Sequence, residues 1–495
     1  MDLRRQIMKK YLALVLALTM VFSLVACGAT TKEVRKNEYV MSDDVAQGSV
    51  IDGVMTDIQI SDPILEKTTA TWTDTCVLYE VNVRQYTEEG TFKAFEKHLK
   101  RLKNMGVNTL WFMPIHPISK TERKGTLGSY YAVDDYMAVN PEFGTMEDFQ
   151  HLVDKAHKMG FKVMLDWVAN HTGWDHKWIT DHPDWYDRDE EGNITFSYDW
   201  SDIAELNYDN YEMRAEMIKC MQYWVEEVGV DGFRCDHAIG VPVSFWNAAT
   251  YKLRSINSDI MMLAEVTAAK NLTRYAFDSC YNDHLYNAAI ALKGGAAVSA
   301  LGQGAMLSTN YVEGSYPMNY LDNHDKNTYG GTIVEHFDGI YEPLLALSFT
   351  VPGYPLIYTG NEQYYDHAIE FFEKDTITWE EEPKYEELIT ELSALKAENK
   401  ALYSSNRDLT FLDVSDTNVF AYSRVNGDNT VVYVANLSQS DIKDVTVDLG
   451  FENATCVMHF DGENFDYEET EVSAKDFDKK TYKSGEFYIF TINAE

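Results

Sequence analysis

From Cys76 to about residue 359 the chain alternates short apolar runs with helical stripes, and this alternation restricts the fold more than any other feature. CVLYEVNV (76–83) reads as a strand. In FKAFEKHLKRLKNMG (92–106), Phe95, Leu99, Leu102 and Met105 share a helical face and Gly106 ends it. NTLWFMPI (108–115) is almost continuously apolar, as expected of a strand covered on both faces. Thr145 with Asp148 resembles a capping box. It opens a helix striped by Phe149, Leu152, Val153, Ala156 and Met159, and Gly160 closes it. FKVMLDWV (161–168), GVDGFRCD (229–236) and IMMLAE (260–265) are further strands, with others expected at 275–281, 316–322 and 355–359. Helices are expected in 211–229 and 245–256. Repeated strand–helix units in this number favour an α/β fold built as a closed (β/α)8 TIM barrel over an open sheet. No glycine-rich phosphate loop follows any strand.

One stretch breaks the pattern. Residues 171–210 hold Trp174, Trp178, Trp185 and Trp200 among many Asp, with little periodicity, so they read as a short domain inserted after strand 3. Trp167 and these four make five of the ten Trp inside 34 residues. Indole faces stack on pyranose rings, but they also fill a small core that has few aliphatics. Trp167, Trp178 and Trp185 are expected in such a core, while Trp174 and Trp200 fit either role. The expected catalytic barrel spans 73–402. After its last helix (385–402), residues 403–495 alternate with period two around turns such as Asn426-Gly427, predicting a C-terminal antiparallel β-sandwich.

The beginning of the chain reads differently again. A basic segment (1–10) and an apolar one (11–26) precede Cys27, and Leu24-Val25-Ala26-Cys27 is similar to a bacterial lipobox. Residues 1–26 are expected as a lipoprotein signal peptide, with Cys27 acylated and anchoring the protein to the outer face of the cell membrane. An ordinary secretion signal or a short membrane anchor is the competing reading. Residues 27–72, polar and acidic, are expected to be a flexible tether, with short strands within it left open. The other five cysteines show no C-x-x-C pattern, so they indicate neither a zinc site nor a disulfide framework. A net charge of −37 over 495 residues excludes a nucleic-acid partner, because phosphate binding needs a basic field. No protein partner is read from the sequence.

The chemistry concentrates at strand ends. Asp166, Asp236, Glu265 and Asp325 each close an apolar run, and in a barrel such ends converge on one mouth. Facing carboxylates suit glycosidic cleavage, which needs a protonated acid for the leaving oxygen and a negative group beside the oxocarbenium-like centre. Arg234 lies two residues before Asp236, on the same strand face, and would keep it ionised. Partial burial would raise the pKa of Glu265 toward that of an acid. His171 and His324 offer donors for sugar hydroxyls.

DWVANH (166–171), GFRCD (232–236), AEV (264–266) and DNHD (322–325) resemble, in order and spacing, the four short conserved regions of the alpha-amylase family, family 13 of the glycoside hydrolases. IAELN (203–207) and SYYAVDDY (129–136) resemble two further segments of that family. The resemblance implies Asp236 as nucleophile, Glu265 as general acid/base and Asp325 as transition-state stabiliser. It implies Arg234, His171, His324 and Tyr131 as substrate-binding residues, with Asp135 and Asp166 in supporting roles. The implied reaction is retaining hydrolysis of α-1,4-glucans, namely starch, glycogen and maltooligosaccharides. A cyclomaltodextrinase, neopullulanase, maltogenic amylase or 4-α-glucanotransferase shares these residues, and a non-catalytic glucan-binding or transporter-partner protein shares the fold. Asn170 matches a recurrent calcium ligand of the family, and Asp199 and Asp202 could add oxygen donors. The segment after Asp236 reads HAIG and departs from the family pattern, leaving a structural Ca2+ and plain solvated acids both open.

Overall fold

The computed structural model describes residues 50–62, 65–307 and 311–493. Eight parallel strands close a barrel: β1 (Leu78–Val81), β2 (Thr109–Phe112), β3 (Lys162–Trp167), β4 (Gly232–Cys235), β5 (Met261–Thr267), β6 (Ser279–Tyr281), β7 (Tyr316–Tyr320) and β8 (Tyr354–Tyr358). Each pairs with the next in sequence and β8 pairs with β1. Every one overlaps an apolar run of the sequence, because both strand faces are covered, one by the barrel interior and one by helices.

The helices follow the apolar stripes, with local departures. Thr145 and Asp148 form the reciprocal capping box of Met146–Lys158. The stripe at 92–106 is buried throughout, yet it is delivered by two short helices, Phe92–Phe95 and Leu99–Asn104, joined by a 3-10 turn at Glu96–His98. Gly106 (φ 83°) ends it where a Cβ would come within 2.3 Å of Ser393 Cβ. Tyr211–Tyr223 loosens into a π-helical turn at Trp224–Val228 before Gly229 (φ 82°).

The tether expected over 27–72 requires correction at its C-terminal end. Residues 50–55 form a small hairpin, and Val54 and Ile58 are buried. Arg214 is fully buried on helix Tyr211–Tyr223 and pairs with Asp57 at 2.8 Å. A buried guanidinium needs a counter-charge, and this segment supplies it. The signal peptide and Cys27 lie outside the described residues.

Between β3 and β4 the chain forms an antiparallel ribbon, His171–Gly173 with Ile203–Glu205. Trp178 and Trp185 are buried beneath it, their rings 5.0 Å apart, and Trp167 is buried in β3. Past the last barrel helix (Glu386–Glu398) a seven-stranded antiparallel sheet takes over. One face docks on the barrel, where Tyr433 Oη donates to Pro343 O (2.7 Å) and Arg424 to Thr350 O (3.1 Å). The other face packs Val432, Val434 and Phe490 under a ribbon carrying Val445 and Tyr482. The five cysteines among the described residues are buried and unpaired, and no helix among those residues is long and apolar enough to cross a membrane.

Candidate active site

The C-terminal ends of the barrel strands open into a cleft of about 930 Å3. Asp236 follows β4, Glu265 lies within β5 and Asp325 follows β7, and all three line it. Tyr131, His171, His324 and Trp200 line it as well. Arg234, inward-facing on β4 and fully buried, ties the group together. Its NH1 lies 3.0 Å from Asp236 Oδ1 and 2.9 Å from Asp166 Oδ1, and its NH2 lies 3.0 Å from Glu265 Oε1. Nε donates to Tyr281 Oη at 3.0 Å.

Burial and crowding set the protonation states. Desolvation, reinforced by Asp166 and Asp325 and opposed by Arg234, pushes Asp236 up to about 6. Burial likewise pushes Glu265 up to about 7, with Asp236 and Asp325 adding to it and Arg234 opposing. Burial thus raises both carboxyls of the pair, the direction of shift that a general acid at Glu265 requires. Burial holds His171 neutral, down to about 3, and its Nε2 has no hydrogen-bond partner in the protein. An unpaired buried ring nitrogen on the cleft wall suits a sugar hydroxyl.

Of the supporting residues, Asp166 is buried, accepts from Trp111 Nε1 (3.2 Å) and Tyr131 Oη (3.1 Å), and serves Arg234. Asp135 lies outside the cleft and accepts from the Met137 amide at 2.8 Å. Of the two tryptophans left open between cleft and core, Trp200 lines the cleft, and Trp174 donates its Nε1 to Ser201 O (2.9 Å) inside the insertion. At the calcium candidates, Lys124 Nζ pairs with Asp202 (3.1 Å) and donates to Asp199 O (2.9 Å). Asn170 is buried, with Nδ2 3.3 Å from His171 Nδ1 and Oδ1 packed toward Gly240. As placed, the Asp202 carboxylate and the Asp199 carbonyl are engaged by the Lys124 ammonium and are not free to share one Ca2+ with Asn170. No cluster of three or more His, Cys, Asp or Glu among the described residues is placed to hold a metal.

His237, where the sequence left a neighbouring subsite and simple packing both open, has a left-handed backbone (φ 41°) and donates its amide to Glu265 Oε2 at 2.7 Å. Several other site residues were not anticipated from sequence. Asp283 lines the cleft and accepts from Thr267 and Tyr320. Tyr329 and Phe371 add aromatic surface to the wall, with Tyr329 65% exposed. Glu80 reaches His324 from β1. A lone acid in the apolar run CVLYEVNV was the one available signal for it.

A parallel eight-stranded barrel whose strand ends bring three carboxylates and one arginine to a single cleft defines a barrel glycosidase. The alpha-amylase catalytic-domain family matches residues 66–200 and 181–408. The chain belongs to the alpha-amylase family of glycoside hydrolases. It is 26% identical over 386 residues to alpha-amylase MalA of Haloarcula japonica, covering 74% of this chain and 56% of that protein. It is 27% identical over 397 residues to an alpha-1,4-glucan:maltose-1-phosphate maltosyltransferase of Salinibacter ruber, covering 72% and 58%. Among solved structures, maltogenic alpha-amylase AmyB of Thermotoga neapolitana superposes with a TM-score of 0.73 at 30% identity, covering 85% of this chain and 99% of that one. The chain therefore spans rather more than half the length of the two curated relatives.

Proposed function

We propose that this protein is an α-amylase that hydrolyses internal α-1,4-glucosidic bonds of starch, glycogen and maltooligosaccharides with retention of configuration. The observation that carries the reading is the shared guanidinium: Arg234 touches both Asp236 and Glu265. One arginine holding two carboxyl groups favours the close spacing of a retaining pair over the wider gap that an inverting enzyme leaves for water.

Asp236 attacks the anomeric carbon while the glycosidic C–O bond breaks and Glu265 protonates the leaving oxygen. Water then attacks the glycosyl–Asp236 ester, gives its proton to Glu265 and releases Asp236 as carboxylate. Asp325, its side chain 42% exposed at the mouth, and the His171 ring bind hydroxyls of the central sugar, while His324 is held between Glu80 and Tyr131 on the same wall. Tyr131, whose ring lies 8° from parallel to Phe371, gives that sugar a flat wall. Trp200 and Tyr198, rings 4.8 Å apart, extend aromatic surface along the insertion side.

A maltogenic or cyclodextrin-opening enzyme is the second reading, supported by the likeness to the Thermotoga neapolitana maltogenic amylase. A timed product profile on starch, pullulan and cyclodextrins separates the two. Mixed oligosaccharides appearing early from starch, with slow cyclodextrin turnover, support the endo-acting amylase. Rapid cyclodextrin opening or maltose as the sole early product overturns it. We also propose that the protein works outside the cell, lipid-anchored through Cys27, a reading supported by the basic, apolar and lipobox-like order of residues 1–27.

A further inference from the structure

Glu80 touches none of the three cleft carboxylates, yet it is fully buried inside the barrel, level with Trp111 on β2 and Tyr358 on β8. Its Oε1 accepts from His324 Nδ1 at 2.5 Å, and its Oε2 has no hydrogen-bond partner. A carboxylate in such a place is expensive unless its charge is used, because desolvation costs several kcal/mol per ion in real proteins. Among the described residues, the only cationic side chain within hydrogen-bond reach of it is the His324 imidazole.

On the far side of that ring, Nε2 lies 2.8 Å from Tyr131 Oη and 3.5 Å from Asp325 Oδ2. Tyr131 Oη in turn lies 3.1 Å from Asp166 Oδ2, and Asp166 holds Arg234, which holds Asp236. The direction of this chain depends on the charge of His324. An imidazolium donates from both nitrogens, so Nε2–H points at Tyr131 Oη and the phenol proton is free for Asp166. A neutral ring with its proton on Nδ1 would accept at Nε2, drawing the phenol proton away from Asp166.

We propose that Glu80 is a positioning residue for the glucan-cleaving site, holding His324 as a fixed imidazolium that sets the donor direction from Tyr131 through Asp166 and Arg234 to Asp236. This rests on the hydrolase reading given above. The groups that face His324 are Glu80 from β1, Tyr131 from the loop after β2, Asp166 from β3, Arg234 from β4 and Asp325 beside it. Burial disfavours the cation and Arg234 repels it, but Asp325 and Glu80 outweigh both and push His324 up to about 9. At neutral pH the ring is therefore doubly protonated, unlike His171 on the same wall.

The test is an NMR titration of the isotope-labelled histidines, with the His324 signal identified by its loss in His324→Asn, in wild type and Glu80→Gln. Glutamine keeps the shape and an acceptor oxygen while removing the charge. Wild-type His324 should be doubly protonated at neutral pH, and in Glu80→Gln its titration should move down into or below the neutral range. On a maltooligosaccharide, Glu80→Gln should lower kcat about tenfold or more, the scale of a charge-assisted hydrogen bond, with KM changed far less. The alkaline limb of its pH profile should shift to lower pH. A neutral His324 at pH 7 in the wild type overturns the proposal without any variant. So does a Glu80→Gln enzyme with unchanged His324 titration and kcat. A wild type inactive on α-glucans would sink the hydrolase reading instead, and the titration would still decide whether Glu80 holds His324 charged.

Discussion

The backbone amide of His237 donates to Oε2 of Glu265 at 2.7 Å, because His237 turns left-handed (φ 41°, ψ 45°) directly after Asp236. The residue following one carboxylate in sequence thus fixes the other in space. Arg234 holds the remaining oxygen of Glu265 and one of Asp236, so the pair is kept in register from both sides. Asp236 is raised to about 6 and Glu265 to about 7, and the proposed mechanism requires the first ionised and the second protonated. The pH profile of kcat/KM should be bell-shaped, rising through about 6 and falling beyond about 7, as macroscopic values of the coupled pair. His237→Gly keeps both the amide and the left-handed turn, so its alkaline limb should stay in place. A displaced limb would assign the effect to the imidazole ring rather than to the backbone.

Asp236→Asn removes the oxygen proposed to attack the anomeric carbon, without changing shape. Hydrolysis should fall by roughly a thousandfold or more, measured as kcat/KM. The effect on stability has the opposite sign. The native carboxyl of Asp236 sits above its ordinary value, so its contribution to stability is present at acid pH and is lost as pH rises through about 6. The asparagine has no such loss, and above neutral pH its Tm should equal or exceed that of the wild type. Undiminished hydrolysis by this variant would refute the nucleophile assignment.

Lys124 places its ammonium against two of the candidate calcium ligands. Its ammonium joins Asp202 and the carbonyl of Asp199 to the loop after β2, bracing the insertion wall of the cleft. Exhaustive chelation should therefore leave both Tm and activity unchanged. Lys124→Met should raise KM more than it lowers kcat, since the wall shapes binding rather than bond breaking. A rise in Tm when calcium is added to the chelated wild type would contradict this account.

Cys27→Ser should move the protein from the membrane fraction to the soluble fraction of expressing cells and abolish labelling by radioactive palmitate. Continued membrane association of the variant would point to the apolar segment 11–26 as an uncleaved anchor.

The barrel was legible because its strands are buried on both faces and so read as nearly continuous apolar runs, such as Leu110–Phe112 and Val163–Leu165. The cleft carboxylates were legible because each closes such a run. Long-range pairings were not. Nothing local to Glu80 announces a bond to His324, 244 residues later, and nothing near Lys124 announces Asp202. Trp174 and Trp200 share a residue type and a segment, yet Trp200 lines the cleft while Trp174 is bonded to Ser201 inside the insertion. The hairpin at 50–55 was hidden by its polar neighbours, since its stability comes from docking on the helix that carries Arg214. The break at Glu96–His98 interrupts the hydrogen bonding of a helix without disturbing its apolar stripe, so periodicity could not reveal it.

The most direct measurement is proton NMR of the first products that the wild-type enzyme releases from a maltooligosaccharide, recorded before mutarotation equilibrates them. Double displacement through Asp236 and Glu265 requires the newly formed reducing ends to appear as the α-anomer. Initial formation of the β-anomer would contradict the account, because a single displacement by water leaves Asp236 no covalent role.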